Sequence, residues 1–481
     1  MSKTTEAGAA IEAEGARDWI APAVIAACGF VAVCAVCWPG FMSPDSVEQL
    51  RQARDHIYSD DHPPLMAMIW AVADRLLPGP AGMLLLLNAL YWGGLLVCAR
   101  YWPLPRRART IAFALVAAFP PLLVNLGVIW KDILMQGALV CVLAAYLRYR
   151  RSHGLIPLAV ALVFSVLAIA ARHNAAAAVW PLLVLFAAEH PRWSSRLARW
   201  KRWLGAMGIS LALVAVMQQG ITRSLAPFVK RQTHFWQVGL LFDLAGMSVV
   251  EGELLFDPGA RMLRKGVTIG VLSDKYNPRH PGSIFYGRHP VIKHTDDPDQ
   301  LKAIAQNWAR AIRQHPRAYL VSRWRVYRNL LGLSSTPPAY MVFAEIHKNK
   351  FGYALAPSPL RDRTVDAFEL LAKTPLFRVW LYVFGGVLLF FASAAAFWFG
   401  GAPLALGLSL SGLIYHLTFA LLSCSDDYRY SLWTITCTVL SACALPASLP
   451  EHWRARVSGL LSPRWAASRH QAGPVSHVRA N

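Results

Sequence analysis

Two stretches of the chain contain no charged side chain, and they restrict what it can fold into. No Asp, Glu, Lys or Arg lies between Asp18 and Asp45, or between Arg378 and Asp426. A helix that crosses a membrane needs about 20 predominantly apolar residues, and both stretches are long enough for this. The sequence therefore predicts a membrane protein and excludes a soluble or intrinsically disordered one.

The composition agrees with this prediction. Of the 481 residues, 55% are hydrophobic and 16% are charged, whereas an ordinary soluble domain has about 25% charged residues. The formal net charge of +21 does not indicate nucleic-acid binding, because the basic residues fall largely in short segments between apolar runs. The eight cysteines lie in or beside apolar segments, so we predict no disulfide framework.

The apolar runs predict an all-α polytopic protein with about ten spanning helices. These helices are expected near residues 19–41, 81–102, 110–130, 133–147, 154–171, 175–188, 203–222, 379–399, 402–424 and 430–449. A polar block over residues 223–378 interrupts the runs and is large enough to form a small domain.

The orientation follows from the basic connections, because cytoplasmic loops are enriched in Lys and Arg. Every second connection is basic, which places both termini in the cytoplasm and every unusual polar cluster on the outer side. The predicted regions are a cytoplasmic tail (1–18), an N-terminal membrane core (19–222) with its first outer loop at 42–80, an outer domain (223–378), C-terminal membrane helices (379–449) and a basic cytoplasmic tail (450–481).

The first outer loop begins with a helix-start signal. Ser43 is a typical N-cap and Pro44 suits the first helical position, so Asp45 is expected in the first turn. Helical spacing puts Glu48 on the face of Asp45, in a short helix lying along the membrane interface. Asp45 either complements the helix dipole or forms a carboxylate at the mouth of a membrane cavity.

A second polar cluster, Asp61 and His62, comes directly before Pro63 and Pro64. The prolines hold the chain extended and then permit a helix to start. The apolar stretch that follows stops at Asp74, so it is too short to span and is expected at the interface. Asp61 and His62 belong either to a rigid turn or to a site on the outer face.

Two further clusters separate apolar runs that are short for a membrane. Lys131 and Asp132 lie between one pair of runs, and Arg172, His173 and Asn174 lie between another. Ionisable residues at this depth normally face a bundle interior or a water-filled cavity, and they are functional candidates. The alternative is a structural ion pair, such as Asp132 with Arg172, which could also orient a catalytic carboxylate.

The last outer connection contains Asp427, Tyr428, Arg429 and Tyr430. An arginine there can bind a phosphate with two hydrogen bonds, and the aromatic rings can stack on a sugar. The alternative is an anchor at a helix end. The segment Asp296-Asp297-Pro298-Asp299 contains a DxD pattern, but acidic clusters with proline are typical of solvated turns, and we do not assign it to a metal site.

These motifs together resemble the GT-C glycosyltransferases, multi-spanning enzymes that use polyprenyl-phosphate-linked sugars, and in particular a bacterial branch related to protein mannosyltransferases and aminoarabinose transferases. The matching motifs are Ser43-Pro44-Asp45-Ser46, Asp61-His62-Pro63-Pro64, Trp130-Lys131-Asp132, Arg172-His173-Asn174 and Asp427-Tyr428-Arg429-Tyr430. The resemblance implies that Asp45 is the essential acid of the first outer loop and that Asp132 is a second one. Many members have two adjacent acids where this chain has Asp45 and Ser46.

We therefore expect an enzyme of a bacterial cytoplasmic membrane that transfers a sugar, with inversion, from a polyprenyl-phosphate donor to a lipid, glycan or protein hydroxyl at the outer face. Asp45 is the expected general base, with a pKa raised by partial burial. The residues expected to bind the donor phosphate are Lys131, Arg172, His173 and Arg429. Other substrate contacts are expected from Glu48, Asp61, His62 and Tyr428.

No cofactor is expected, because phosphate is already a good leaving group. Asp45 and Asp132 could bind a divalent cation, but we predict no metal ligand. One alternative is a ligase or polymerase that uses polyprenyl-diphosphate-linked glycans. The other is a flippase for lipid-linked sugars, although the sequence lacks the repeated halves typical of transporters.

Overall fold

The computed structural model describes residues 2–191, 199–257, 261–286 and 289–454, which are predominantly helical. Its helices are α1 (Ser2–Cys37), α2 (Pro44–Asp55), α3 (Leu65–Leu76), α4 (Ala81–Tyr101), α5 (Arg106–Ala117), α6 (Pro120–Leu123), α7 (Lys131–Ser152), α8 (Leu155–Ala171), α9 (Ala175–Ala188), α10 (Arg199–Leu225), α11 (Trp236–Glu251), α12 (Ile269–Lys275), α13 (Gly282–Phe285), α14 (Pro298–Gln314), α15 (Pro316–Leu330), α16 (Pro359–Ala372), α17 (Val379–Trp398), α18 (Leu404–Leu422) and α19 (Leu432–Ser448). Two short strands, β1 (Tyr58–Ser59) and β2 (Val229–Arg231), pair in parallel.

Seven helical segments in the described part of the chain are long and apolar enough to cross a membrane. They are Trp19–Cys37, Ala81–Tyr101, Lys131–Ser152, Trp200–Phe228, Val379–Trp398, Leu404–Leu422 and Tyr428–Ser448. The shorter apolar helices α8 and α9 pack against α7. The predicted all-α polytopic architecture is confirmed, and so are the two short helices α2 and α3 in the first outer loop.

The predicted span at 110–130 is wrong. Helix α5 ends at Ala117, because Pro120 and Pro121 have no backbone N–H to continue it and the residue before a proline avoids helical geometry. After the single turn of α6, the chain runs beside the start of the first outer loop. There, the Phe41 N–H donates to the Gly127 carbonyl at 2.8 Å, and the Phe41 carbonyl accepts from the Ile129 N–H at 2.9 Å.

The described residues bury two large hydrophobic cores and one small cluster between α9 and α10. One joins the membrane helices and includes Met341, Phe343 and Phe377 from the polar block at 223–378. The other lies within that block, where α11, α14 and α15 pack around residues such as Phe242 and Ile304. The polar block therefore contributes to both cores.

Hydrogen bonds join the first outer loop to the polar block. Strand β1 pairs with β2, and the Asp60 carboxylate accepts bonds from Thr233 N–H at 2.5 Å and His234 N–H at 3.0 Å. The loop is consequently held at its start, by Phe41 against the segment before α7, and near its middle, by Asp60 against the block.

Candidate active site

The start of α2 determines where Asp45 lies. Ser43 and Ser46 form the predicted N-terminal cap, each hydroxyl accepting a hydrogen bond from the backbone N–H of the other. The same two hydroxyls bond to the segment before α7. Ser46 Oγ donates to the Ile129 carbonyl at 2.8 Å, and Trp130 Nε1 donates to Ser43 Oγ at 2.9 Å. The first turn of α2, with Asp45, is thus fixed beside the first turn of α7.

Arg429 joins Asp45 to two other carboxylates. Its Nη2 donates to Asp45 Oδ2 at 2.8 Å and to Asp427 Oδ2 at 2.9 Å, and its Nε lies 3.9 Å from Asp132 Oδ2. The guanidinium also lies over the ring of Trp130, 4.8 Å from the ring centre. Arg429, which lies in the last outer connection, therefore contacts carboxylates from three separate segments of the chain.

Asp132 and Arg172 form an ion pair, which is one of the two alternatives that the sequence left open. The Asp132 side chain is 0% exposed. Arg172 also donates through Nε to Asn174 Oδ1 at 3.1 Å and lies 4.5 Å from the centre of the Tyr430 ring. A fully buried carboxylate has no free surface for a substrate, so this ion pair supports the site from within the protein.

Lys131, His62 and Asp45 form a chain of polar contacts. The Lys131 ammonium lies 2.8 Å from His62 Nδ1, and His62 Nε2 lies 3.8 Å from Asp45 Oδ1. An ammonium can only donate, so Nδ1 must accept and the proton of a neutral imidazole must sit on Nε2, facing the carboxylate. Burial, reinforced by Lys131, lowers the pKa of His62 to about 4, which keeps this ring neutral at pH 7.

The expectation for the Asp45 pKa was wrong in sign. Burial by itself would raise the pKa of this carboxyl, but the positive charges of Arg429 and Lys131 outweigh it and hold that pKa well below its ordinary value. Asp45 is therefore ionised throughout the physiological pH range. The sequence suggested burial but could not place Arg429 on the carboxylate.

We call the seven residues Asp45, His62, Lys131, Asp132, Arg172, Asp427 and Arg429 the Asp45 cluster. Its three cations balance its three carboxylates when His62 is neutral. Among the described residues, no carboxylate lies within 4.0 Å of Lys131 Nζ, whereas both arginines are paired. The Asp45 side chain is 32% exposed, in contrast to 0% for Asp132 and 8% for Asp427. An incoming anion would thus find Lys131 without a carboxylate partner and Asp45 accessible.

Four predicted site residues lie outside these contacts. Glu48 is bound by Arg51 one turn along α2, at 2.5 Å. Asp61 accepts from the hydroxyl of Ser59 and from His62 N–H, so it supports the turn that carries His62. These two residues have structural partners of their own.

His173 and Tyr428 also point elsewhere. His173 is exposed, and its Nδ1 lies 3.1 Å from Nε2 of Gln218 on α10. Tyr428 is fully buried and stacks on Phe377, with ring centres 5.8 Å apart. Of the two tyrosines in this motif, Tyr430 contacts the cluster, and its ring packs against the Arg172 guanidinium.

Sequence reasoning did not assign Asp427 or Trp130 to the site, although both stood in quoted motifs. Asp427 precedes Arg429 by two residues and accepts from it twice, at 2.9 and 3.1 Å. Trp130 immediately precedes Lys131 and underlies Arg429. The sequence signal that could have identified both residues is their position next to predicted site residues.

The connection that carries Arg429 is fixed by contacts with the polar block. Asp426 pairs with Arg279 at 2.7 Å and accepts from Ala339 N–H at 3.2 Å, while Tyr428 N–H donates to the Ala339 carbonyl at 2.8 Å. The polar block therefore helps to set the position of Arg429.

Within the described residues, no group of three or more His, Cys, Asp or Glu side chains has a geometry that could hold a metal ion. The carboxylates of the cluster are bound by arginines instead. The arrangement can bind an anion at Lys131 and present one accessible carboxylate, Asp45, beside it.

No protein-family model and no curated protein matches the sequence. Among solved structures, the chain is similar to a crystal structure of the Archaeoglobus fulgidus oligosaccharyltransferase tethered with an acceptor peptide via a disulfide bond. The match has 11% identity and a TM-score of 0.35, and it covers 92% of this chain and 53% of that chain. The chain thus spans about half the length of that protein, and a likeness of this size assigns no activity to it.

Proposed function

We propose that the chain is a membrane glycosyltransferase that moves a sugar from a polyprenyl-phosphate donor to a lipid, glycan or protein hydroxyl at the outer face. The observation that carries the proposal is the Asp45 cluster. It combines an accessible, ionised carboxylate with a lysine that has no carboxylate partner within 4.0 Å among the described residues. These are the groups needed to receive a hydroxyl proton and to bind a departing phosphate.

In the proposed reaction, the donor phosphate lies at Lys131 and the acceptor hydroxyl lies against Asp45. The hydroxyl oxygen forms a bond to the anomeric carbon as the bond from that carbon to the phosphate oxygen breaks. The electron pair leaves with the polyprenyl phosphate, where Lys131 stabilises the growing negative charge. The hydroxyl proton passes to Asp45, and the anomeric configuration inverts.

The low pKa of Asp45 fits this sequence of events. A carboxylate whose pKa is depressed by neighbouring cations is a weak base until those cations are neutralised. A phosphate that binds at Lys131 would supply this negative charge and make Asp45 more basic. Donor binding would thereby activate the base only when a sugar is in place.

Asp132 and Arg172 would act through other residues. Their buried pair restrains Arg172 against Tyr430, and Asp132 contributes negative charge 3.9 Å from Arg429. We assign both residues to the positioning of Arg429 and of the Asp45 carboxylate. Deprotonation of the acceptor is assigned to Asp45 alone.

The test compares purified wild type with Asp45→Asn, using extracted polyprenyl-phosphate sugars and total membrane glycolipid. Wild type should release polyprenyl phosphate and make a heavier product, and the variant should be slower by about 10³-fold. Mass spectrometry follows both species. Asp55→Asn is the matched control, because Asp55 also lies on α2 but pairs with Arg51 outside the cluster.

Other outcomes would contradict the proposal in different ways. Activity only with an added polyprenyl-diphosphate-linked glycan, with release of polyprenyl diphosphate, would favour a ligase or polymerase. Two inert proteins that both retain bound lipid phosphate would favour a flippase. Equal activity of wild type and Asp45→Asn would remove Asp45 from the chemistry.

A further inference from the structure

Tyr340, which the sequence did not single out, has a backbone conformation that a bulky side chain rarely adopts. Its φ is +54°, in the left-handed region. Such a residue persists only where the surroundings fix it, and these positions concentrate at functional sites. A glycine or asparagine would occupy the position with less strain, so the tyrosine side chain itself calls for an explanation.

The backbone on both sides of Tyr340 is fixed to the site. Ala339 exchanges hydrogen bonds with the connection that carries Arg429, through the Asp426 carbonyl and Tyr428 N–H. On the other side, the Glu345 carbonyl accepts from Met42 N–H at 2.9 Å, at the start of the first outer loop. The ring of Tyr340 is therefore held between the two loops that supply Arg429 and Asp45.

The ring itself remains open to solvent. Tyr340 is 46% exposed and packs edge-on against Trp130 and Phe343, with ring centres 6.4 and 5.7 Å away. Trp130 is the ring beneath Arg429. An accessible aromatic face thus lies next to the Asp45 cluster on a rigid support.

Tyr340 and Lys131 are connected to Asp45 through different oxygens of its carboxylate. Asp45 Oδ1 faces His62, whose ring contacts Lys131, whereas Asp45 Oδ2 accepts from Arg429. Arg429 lies over Trp130, against which the Tyr340 ring packs. Inversion requires the acceptor to attack from the side opposite to the leaving phosphate. If the phosphate lies at Lys131, the Tyr340 side is the acceptor side.

We propose that Tyr340 is a binding residue for the acceptor, that its exposed ring stacks on a sugar ring, and that the acceptor is therefore the hydroxyl of a glycan or glycolipid. This inference rests on the proposed function and narrows its acceptor class. The C–H groups on a pyranose face match the negative face of an aromatic ring. The exposed Glu345 carboxylate, five residues further along the same segment, can accept hydrogen bonds from sugar hydroxyls.

The experiment measures transfer by the full chain, with total membrane glycolipid as acceptor, for wild type, Tyr340→Phe, Tyr340→Asn and Tyr340→Leu. Phe keeps the aromatic face, Asn suits the backbone conformation without a ring, and Leu keeps bulk without an aromatic face. We expect Asn and Leu to raise the half-saturating glycolipid concentration about tenfold, with the donor value unchanged. Phe should stay within about twofold of wild type. Thermal melting verifies that each variant is folded.

Unchanged glycolipid dependence in the Asn and Leu variants would overturn the inference, as would an effect on the donor alone or a product on protein only. Should Asn fail to fold, Leu makes the same comparison. A wild type that consumes no donor would instead overturn the proposed function. The two failures are therefore distinguishable.

Discussion

Two buried arginine–carboxylate groups in this protein have similar residues but differ in how far their carboxylates are exposed to solvent. In the polar block, the Asp243 carboxylate accepts from Arg323 Nη2 at 2.7 Å and from Trp308 Nε1 at 2.9 Å. Arg323 Nη1 donates to the Ser423 carbonyl at 2.7 Å. The side chains of Asp243 and Arg323 are 3% and 7% exposed, so this group is closed to solvent.

The Asp45 cluster has the same kinds of residue but is open on one side. Asp45 is a third exposed, and Lys131 has a histidine as its partner rather than a carboxylate. A buried ion pair therefore does not by itself indicate function in this chain. What distinguishes the candidate site is an accessible carboxylate beside a cation that no described carboxylate neutralises.

The largest effect on stability is expected when the arginine of the closed Asp243 group is removed. Arg323→Met leaves the Asp243 carboxylate buried without its cation, and we expect the free energy of unfolding to fall by about 3–5 kcal/mol. Denaturant or thermal unfolding of the detergent-solubilised protein measures this. A stability loss below about 1 kcal/mol would show that the Asp243 group is not the structural pair described here.

An intermediate effect is expected from pH, through His62. The pKa of this buried imidazole is about 4 in the folded chain and near 6.5 when it is exposed. Between these values the unfolded chain binds a proton that the folded chain does not. The free energy of unfolding should therefore fall, by up to roughly 3 kcal/mol, as the pH drops from 6.5 to 4.

His62→Gln tests the assignment of this pH dependence. The variant should lose the part of the slope between pH 6.5 and 4, because glutamine does not titrate. Melting temperatures across this range provide the comparison. A wild-type slope retained in full by the variant would assign the effect to other groups.

The smallest of these effects is expected from Lys131→Met, which matches Arg323→Met in the residue introduced. Because Lys131 has no described carboxylate partner within 4.0 Å, its removal leaves no carboxylate stranded, and stability should change by less than about 1 kcal/mol. The half-saturating donor concentration should rise by about 10- to 100-fold, since a charge-assisted phosphate contact is lost. Lys131→Arg should restore part of this affinity. A large stability loss with unchanged donor dependence would give Lys131 a structural role instead.

Local signals in the sequence were sufficient for some features. The cap at Ser43, the proline at the first helical position and the placement of Asp45 in the first turn depend only on neighbouring residues, and all are present. Pro120 and Pro121 also favour a break locally, but the average hydrophobicity of residues 110–130 does not show it. The pairing of Glu48 with Arg51 is a helical neighbour contact that spacing alone could have predicted.

Hydrophobicity and helix signals act over a few residues, so residue order was enough to predict apolar helices separated by polar motifs. Which of these motifs meet depends on the tertiary structure. Asp45 and Arg429 are 384 positions apart, and their contact depends on the packing of α2, the segment before α7 and the last outer connection. The same packing buried Asp132 and Tyr428, exposed Tyr340 and reversed the expected pKa shift of Asp45. These outcomes depend on distances between charges and on burial, which residue order alone does not contain.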